Sequence, residues 1–255
     1  MRLVRVAVTA LGLLAAWQAV VWATGVPGFI LPGPAAVGRA LAANASLLAS
    51  HARITLVEIL LGIGLGTAIG ASTAILLAVS GTARRWLMPL LVVSQALPVF
   101  ALAPLLVLWL GYGLASKIAM AVLIIYFPVT AAFLDGLRRT EPGWLELART
   151  MDAGRASILR HIRIPAALPA LASGLRVAAA VAPIGAIVGE WVGSSAGLGY
   201  LMLHANARMQ VDLMFAALLV LAVMALLLWF AADRAGRAMA RWQPESLASA
   251  FGGTA

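Results

Sequence analysis

DGLRRTEPGWLELARTMDAGRASILRHIRIPAALP, residues Asp135–Pro169, is the one long polar stretch inside an otherwise apolar chain. Its spacing predicts two short helices. Pro142 suits a first helical position, and Leu145, Ala148 and Met151 then recur on one face. Asp152-Ala153-Gly154 breaks the pattern, with Gly154 placed to cap the next helix. That second helix runs from Arg155 to about Arg163, with Ile158, Leu159 and Ile162 as its apolar face and Arg155, Arg160 and Arg163 around it. Pro165 and Pro169 are expected to end it. Taken alone, such a pair fits either an amphipathic element resting on lipid headgroups or a docking element for another protein.

On both sides of this loop the charges disappear. Of 255 residues 63% are hydrophobic and 11% charged, and the mean hydropathy is +1.01. Soluble domains carry about a quarter charged residues, so lipid is the expected solvent here. Six stretches have the roughly 20 apolar residues that a crossing helix needs: 6–24, 54–79, 87–110, 117–134, 170–190 and 213–233. Between the first two, Val26–Ser50 is broken at Leu31-Pro32-Gly33-Pro34 and is expected to lie at the outer surface.

Basic residues set the orientation. With the N-terminus inside, Arg2, Arg5, Arg84, Arg85, Arg138, Arg139, Arg149, Arg155, Arg160, Arg163, Arg176, Arg234, Arg237 and Arg241 face inward, and only Arg39, Arg53, Lys117 and Arg208 face outward. This asymmetry implies both termini inside. It also explains the net charge of +9 without nucleic acid. Met1–Arg5 and the apolar run behind it also fit a cleaved leader, but the run is long for one and leads into further spans.

Within the spans, Gly62, Gly66, Gly70 and Ala74 recur every four residues and predict a close helix–helix seam. Span three carries Pro89, Pro98 and Pro104 with Ser94 and Gln95, which predicts a kinked helix beside a cavity. Ser94, Gln95, Pro98 and Phe100 are its pathway candidates. Glu58 and Glu190 are the acids nearest the membrane. Glu190 and Trp191 open the Gly- and Ser-rich segment 191–200, an expected outer gate; the competing expectation is an interfacial Glu190 or one paired with Arg53.

Several chemistries are disfavoured. Cysteine is absent, so there are no disulfides or thiolate metal sites, and His51, His161 and His204 lie far apart in sequence. The single lysine, Lys117, precedes Ile118 and forms no phosphate-binding loop, so an energy source must come from a partner. Gly193-Ser194-Ser195-Ala196-Gly197 matches a hydrolase nucleophile pattern, but that pattern requires a strand-to-helix turn and an acidic triad partner. An ion-coupled transporter would be expected to show repeat symmetry with paired broken helices, and one broken helix is present.

The loop's spacing resembles the motif of ABC importer permeases: Glu-Ala-Ala, three residues, Gly, nine residues, Ile-x-Leu-Pro. Glu146-Leu147-Ala148, Asp152, Ile162 and Ile164-Pro165 stand in that register. Leu147 and Ile164 are mild departures, and Asp152 replaces a turn glycine that needs a left-handed backbone, which Asp tolerates. The resemblance runs from Leu31-Pro32 onward through 97–104, 109–113, Lys117-Ile118, 189–193 and 197–200. It is to the nitrate/sulfonate/taurine-type permeases, and within them most to those assigned to hydroxymethylpyrimidine.

The resemblance implies an all-α membrane protein with the type I importer permease fold: six transmembrane helices and a cytoplasmic two-helix coupling loop. Residues 1–25 would form the N-terminal transmembrane helix, 26–52 a periplasmic interfacial segment, 53–235 the permease core with its loop at 135–169, and 236–255 a cytoplasmic tail. Glu146, Leu147, Ala148, Met151, Asp152, Ala153, Gly154, Ile158, Ile162 and Pro165 would couple to the ATPase. The implied partners are two ATPase copies, which use ATP and Mg, an external solute-binding protein, a second copy of this chain, and lipid. The chain itself would bind no cofactor.

Overall fold

The computed structural model describes residues 2–241, which are helical throughout apart from short connections. Helix α1 (Arg2–Thr24) lies at the periphery, held by Trp17 stacked on Phe215 at 5.9 Å. After the Leu31–Pro34 break, Pro34 opens α2 (Pro34–Ala43), which buries Val37 and Ala40. Helix α3 (Ala45–Val79) starts well before the expected span. Residues 26–52 therefore contain α2 and the first turns of α3. At 1.5 Å per residue, the 35 residues of α3 reach about 50 Å, more than a bilayer core of about 30 Å.

Span three departs from the expected single kinked helix. It is split into α4 (Gly81–Ala96) and α5 (Val99–Leu110), bent 103° from one another. Pro98 is the cause. Its ring bars the helical region to Leu97, which sits extended at φ −76° and ψ 125°. Pro89 and Pro104 stay inside their helices. Among the described residues, five helices are long and apolar enough to cross a membrane, or six if the bent pair counts as one span.

Helix α6 (Leu114–Arg138) is the centre of the packing, gripped from two sides by glycines. From α3, a methyl at Gly62 would stand 2.5 Å from Ala121 Cβ, and one at Gly70 2.7 Å from the Tyr126 carbonyl. The expected Gly62–Gly66–Gly70–Ala74 seam is thus a real contact, and all four residues are buried. From α9 (Ile164–Gly193), a methyl at Gly185 would stand 2.8 Å from Ala121 Cα, and one at Gly174 2.9 Å from Ala132 Cβ. Backbones this close maximise dispersion contact, which replaces the hydrophobic effect as the helix-joining force in lipid. Two further helices, α10 (Leu198–Ala207) and α11 (Val211–Met239), close the bundle against α9.

The loop between α6 and α9 contains α7 (Pro142–Thr150) and α8 (Arg155–Ile158). Contrary to expectation, Pro165 and Pro169 do not end the second helix. A π turn at Leu159–Arg163 joins α8 directly to α9, giving one continuous run from Arg155 to Gly193. The wide turn inserts an extra residue just before Pro165, whose ring would otherwise clash with the carbonyl four residues back. Pro169 is accommodated within α9. The expected tail from 236 begins as the end of α11, and residues 242–255 lie outside the described residues.

Candidate functional site: a docking loop and a buried polar cluster

The polar loop between α6 and α9 is built on a left-handed but fully hydrogen-bonded turn. Pro142 occupies the first turn of α7, as its fixed φ favours. At the far end Asp152 adopts φ +56°, the left-handed conformation expected at the motif's glycine position. The Ala153 amide donates to the Ala148 carbonyl at 2.9 Å, and the Asp152 amide to Arg149 at 3.0 Å. This is a Schellman closure, which satisfies the last carbonyls of α7. Gly154 then caps α8 from an extended conformation, with the Ile158 amide donating to its carbonyl at 3.0 Å.

The outward face of α7 differs from the one the periodicity indicates. Ala148 is buried against the rest of the chain and Leu145 is half-buried. Trp144, Leu147 and Met151, at 52, 62 and 73% exposure, form the free apolar face, with Glu146 exposed beside them. Trp144 was missed because Leu145 and Ala148 satisfy the same period one residue later. Ile158, Ile162 and Pro165 are half-buried and anchor the loop, while Asp152 and Gly154 are exposed and Ala153 is partly covered. Trp144, Leu147 and Met151 also line a cleft of about 1510 Å³ whose far wall carries Arg176, Asp233 and Arg237. Asp233 holds Arg176 at 3.0 Å and Arg237 at 2.7 Å, tying α9 to α11 at this end.

The pathway candidates separate into two places. Ser94 bonds the Tyr126 hydroxyl on α6 and the Leu91 carbonyl, whereas Gln95, Pro98 and Phe100 stand around the α4–α5 break, Gln95 and Phe100 exposed. Glu190 lies elsewhere and is 1% exposed, while its neighbour Trp191 is 50% exposed.

At the opposite end of α9 from the α7–α8 loop, Glu190 organises a polar cluster. Its Oε1 accepts from the Thr55 hydroxyl at 2.6 Å. Its Oε2 accepts from the Gly199 and Tyr200 amides at 2.5 and 3.3 Å, two of the first donors of α10. A third, Leu198, donates to Thr55 Oγ1 at 2.8 Å. The helix thus begins on a carboxylate, the charge its N-terminus favours. Gly197 precedes it at φ +114°, and both its amide and its carbonyl stand 2.9 Å from His51 Nδ1. Beside this group Lys117 Nζ meets Glu58 Oε1 at 2.7 Å, both residues buried. Glu190 is therefore held by Thr55 and α10, while Arg53 is exposed.

Sequence reading placed Glu58 near the membrane and Lys117 at a span end without joining them. Thr55 went unnoticed, and His51 and Gly199 were not joined to Glu190; the signal available was Thr55 within one turn of Glu58 on the same helix. Ser194 Oγ is engaged in its own turn, bonding Ala196, so the Gly-x-Ser-x-Gly match is a loop closure. Among the described residues no group of three or more His, Asp or Glu side chains is placed to hold a metal.

Comparison with known proteins agrees with this architecture. Residues 45–243 match the profile of the family described as binding-protein-dependent transport system inner membrane component. A probable ABC transporter permease protein of Haemophilus influenzae is 59% identical over 221 residues, covering 87% of this chain and 90% of its own. The formylaminopyrimidine transport permease protein ThiX of Halalkalibacterium halodurans is 35% identical, covering 91% and 92%. The riboflavin transport system permease protein RibX of Chloroflexus aurantiacus is 38% identical, covering 92% and 89%. In fold, an inward-facing structure of the MetNI methionine ABC transporter superposes with a TM-score of 0.68 at 22% identity, over 77% of this chain and 97% of that one. With its apolar helices, its loop and these relatives, the chain belongs to the binding-protein-dependent transport inner-membrane family, the permease subunits of ABC importers.

Proposed function

We propose that two copies of this chain enclose the pathway of an importer for a neutral heterocycle, a thiamine-precursor pyrimidine. Two ATPase subunits dock on the loop around α7 and α8 and use ATP and Mg, and a binding protein delivers the solute to the opposite face. Both termini and residues 135–169 face the cytoplasm, which follows from the arginine asymmetry. The observation that carries the docking assignment is the exposed Trp144–Leu147–Met151 face on a loop whose Asp152 takes the motif glycine's backbone conformation. An exposed apolar stripe on a polar, water-facing loop is a partner surface.

The substrate reading rests on the α4–α5 break. Ser94, Gln95, Pro98 and Phe100 surround it, and residues 87–110 contain no basic side chain. An anion would favour a positive path, whereas a neutral ring suits aromatic walls and amide partners. Two relatives at 35 and 38% identity carry heterocycles in their names. Glu190 and Trp191 serve the opposite gate.

ATP-dependent uptake of labelled hydroxymethylpyrimidine is expected in proteoliposomes holding the full importer, undiminished by excess taurine. Taurine uptake insensitive to excess pyrimidine would overturn the substrate assignment, and competition by riboflavin alone would move it to larger ring systems. Orientation is checked separately, since the chain has no cysteine. A single cysteine at Ser157 is expected to resist a membrane-impermeant thiol reagent in intact cells and to react after lysis.

A further inference from the structure

The polar cluster at the α10 end contains more negative than positive groups. Glu58 on α3 and Glu190 on α9 are 0 and 1% exposed, and Lys117 on α6 is 7% exposed. Two carboxylates against one ammonium leave a net negative charge in an apolar interior, where an unbalanced charge is costly. The hydrogen bonding shows where the imbalance is relieved. Lys117 takes Glu58 Oε1 at 2.7 Å, but Glu58 Oε2 is fully buried with no hydrogen-bond partner among the described residues. Thr55, whose hydroxyl bonds Glu190 Oε1, stands one turn from Glu58 on the same buried face of α3, which brings the two carboxyls to one side of that helix. Two ionised carboxylates in contact repel; a single proton between them converts that repulsion into a hydrogen bond.

We infer that Glu58 and Glu190 share one proton, making the Glu58–Lys117–Glu190 cluster neutral and fastening the turn before α10 onto α3, α6 and α9. The proton lies on Glu58 Oε2 and points to the Glu190 carboxylate, whose other contacts are Thr55, Gly199 and Tyr200. His51, another titratable group on α3, is engaged by the turn itself: its Nδ1 stands 2.9 Å from both the amide and the carbonyl of Gly197. Among other titratable groups of α10, the Tyr200 ring lies tilted against His204 at 3.9 Å and stacked on His51 at 6.1 Å. Glycines make the fit tight: a methyl at Gly189 would stand 3.1 Å from Lys117 Cα, and one at Gly199 3.0 Å from Glu190 Oε2.

The test is infrared difference spectroscopy of the reconstituted importer, which reads the carbonyl stretch of a protonated buried carboxyl whether or not any solute is transported. Its outcome is therefore separate from that of the substrate reading. The wild type is expected to show the band, and both Glu58→Gln and Glu190→Gln to lose it, because the remaining acid pairs as a carboxylate with Lys117. Lys117→Met is expected to about double the band, since a second proton then restores neutrality. In yield of assembled complex, E58Q/E190Q is expected to fall about tenfold by stranding Lys117, and adding Lys117→Met to restore it. Absence of the band in the wild type, its survival in either Gln variant, or an unchanged band in Lys117→Met overturns the shared proton.

Discussion

Leu147→Glu combined with Met151→Glu is expected to abolish solute uptake and release the ATPase subunit while leaving the permease inserted. The two side chains are 62 and 73% exposed on α7 and make up most of its free apolar face with Trp144. Truncating a well-packed anchor at a protein interface costs about 2 kcal/mol, or about 30-fold in affinity, and a buried unpaired carboxylate costs more. Glu146→Arg reverses a charge beside the same face and is expected to act in the same direction. Ala148→Glu is the informative contrast. Ala148 is buried inside the chain, so its replacement is expected to lower the permease's own stability along with docking. Co-purification of the ATPase, uptake in proteoliposomes and membrane yield of the permease are the three readouts. Wild-type co-purification of the double variant would remove α7 from the interface.

At the other end, Gly197→Ala is expected to cost about 2–4 kcal/mol, from positive-φ strain and overpacking together. Gly197 sits at φ +114°, and a methyl there would overlap Glu190 Cδ and both its carboxylate oxygens. The methyl forces either Glu190 or the turn to move, and with it the three amides that Glu190 and Thr55 hold at the start of α10. Gly154→Ala is the control, since Gly154 has ordinary φ and a methyl added there would meet nothing within 4 Å. A change within about 0.5 kcal/mol is expected there. Thermal stability of the purified permease measures both. Equal melting temperatures for Gly197→Ala and wild type would refute the close contact between turn and carboxylate.

Much of the fold was legible from local chemistry. The apolar stretches, the four-residue glycine seam and the Asp152 turn all depend on spacing or backbone preference within one segment. Lipid makes this possible, because every backbone group must be satisfied within its own helix. Where neighbouring segments competed, sequence reading failed in specific ways. Pro98 breaks a span that Pro89 and Pro104 leave intact: Leu97 before it is extended, whereas the other two prolines lie inside α4 and α5. Pro165 does not stop its helix, because a π turn makes room for it.

The sequence by itself therefore determined that the chain crosses a membrane several times and carries a polar loop in the register of a family motif. Hydropathy, arginine placement and proline–glycine punctuation are properties of single segments. Only the tertiary structure decided which face of α7 is free, because Leu145 and Leu147 are equally apolar and differ solely in what α7 packs against. It also brought Glu58, Lys117 and Glu190 together from positions 59 and 73 residues apart along the chain. No spacing rule connects residues on three helices; the glycines of α3 and α9 do, by letting both helices close on α6 until the charges must meet.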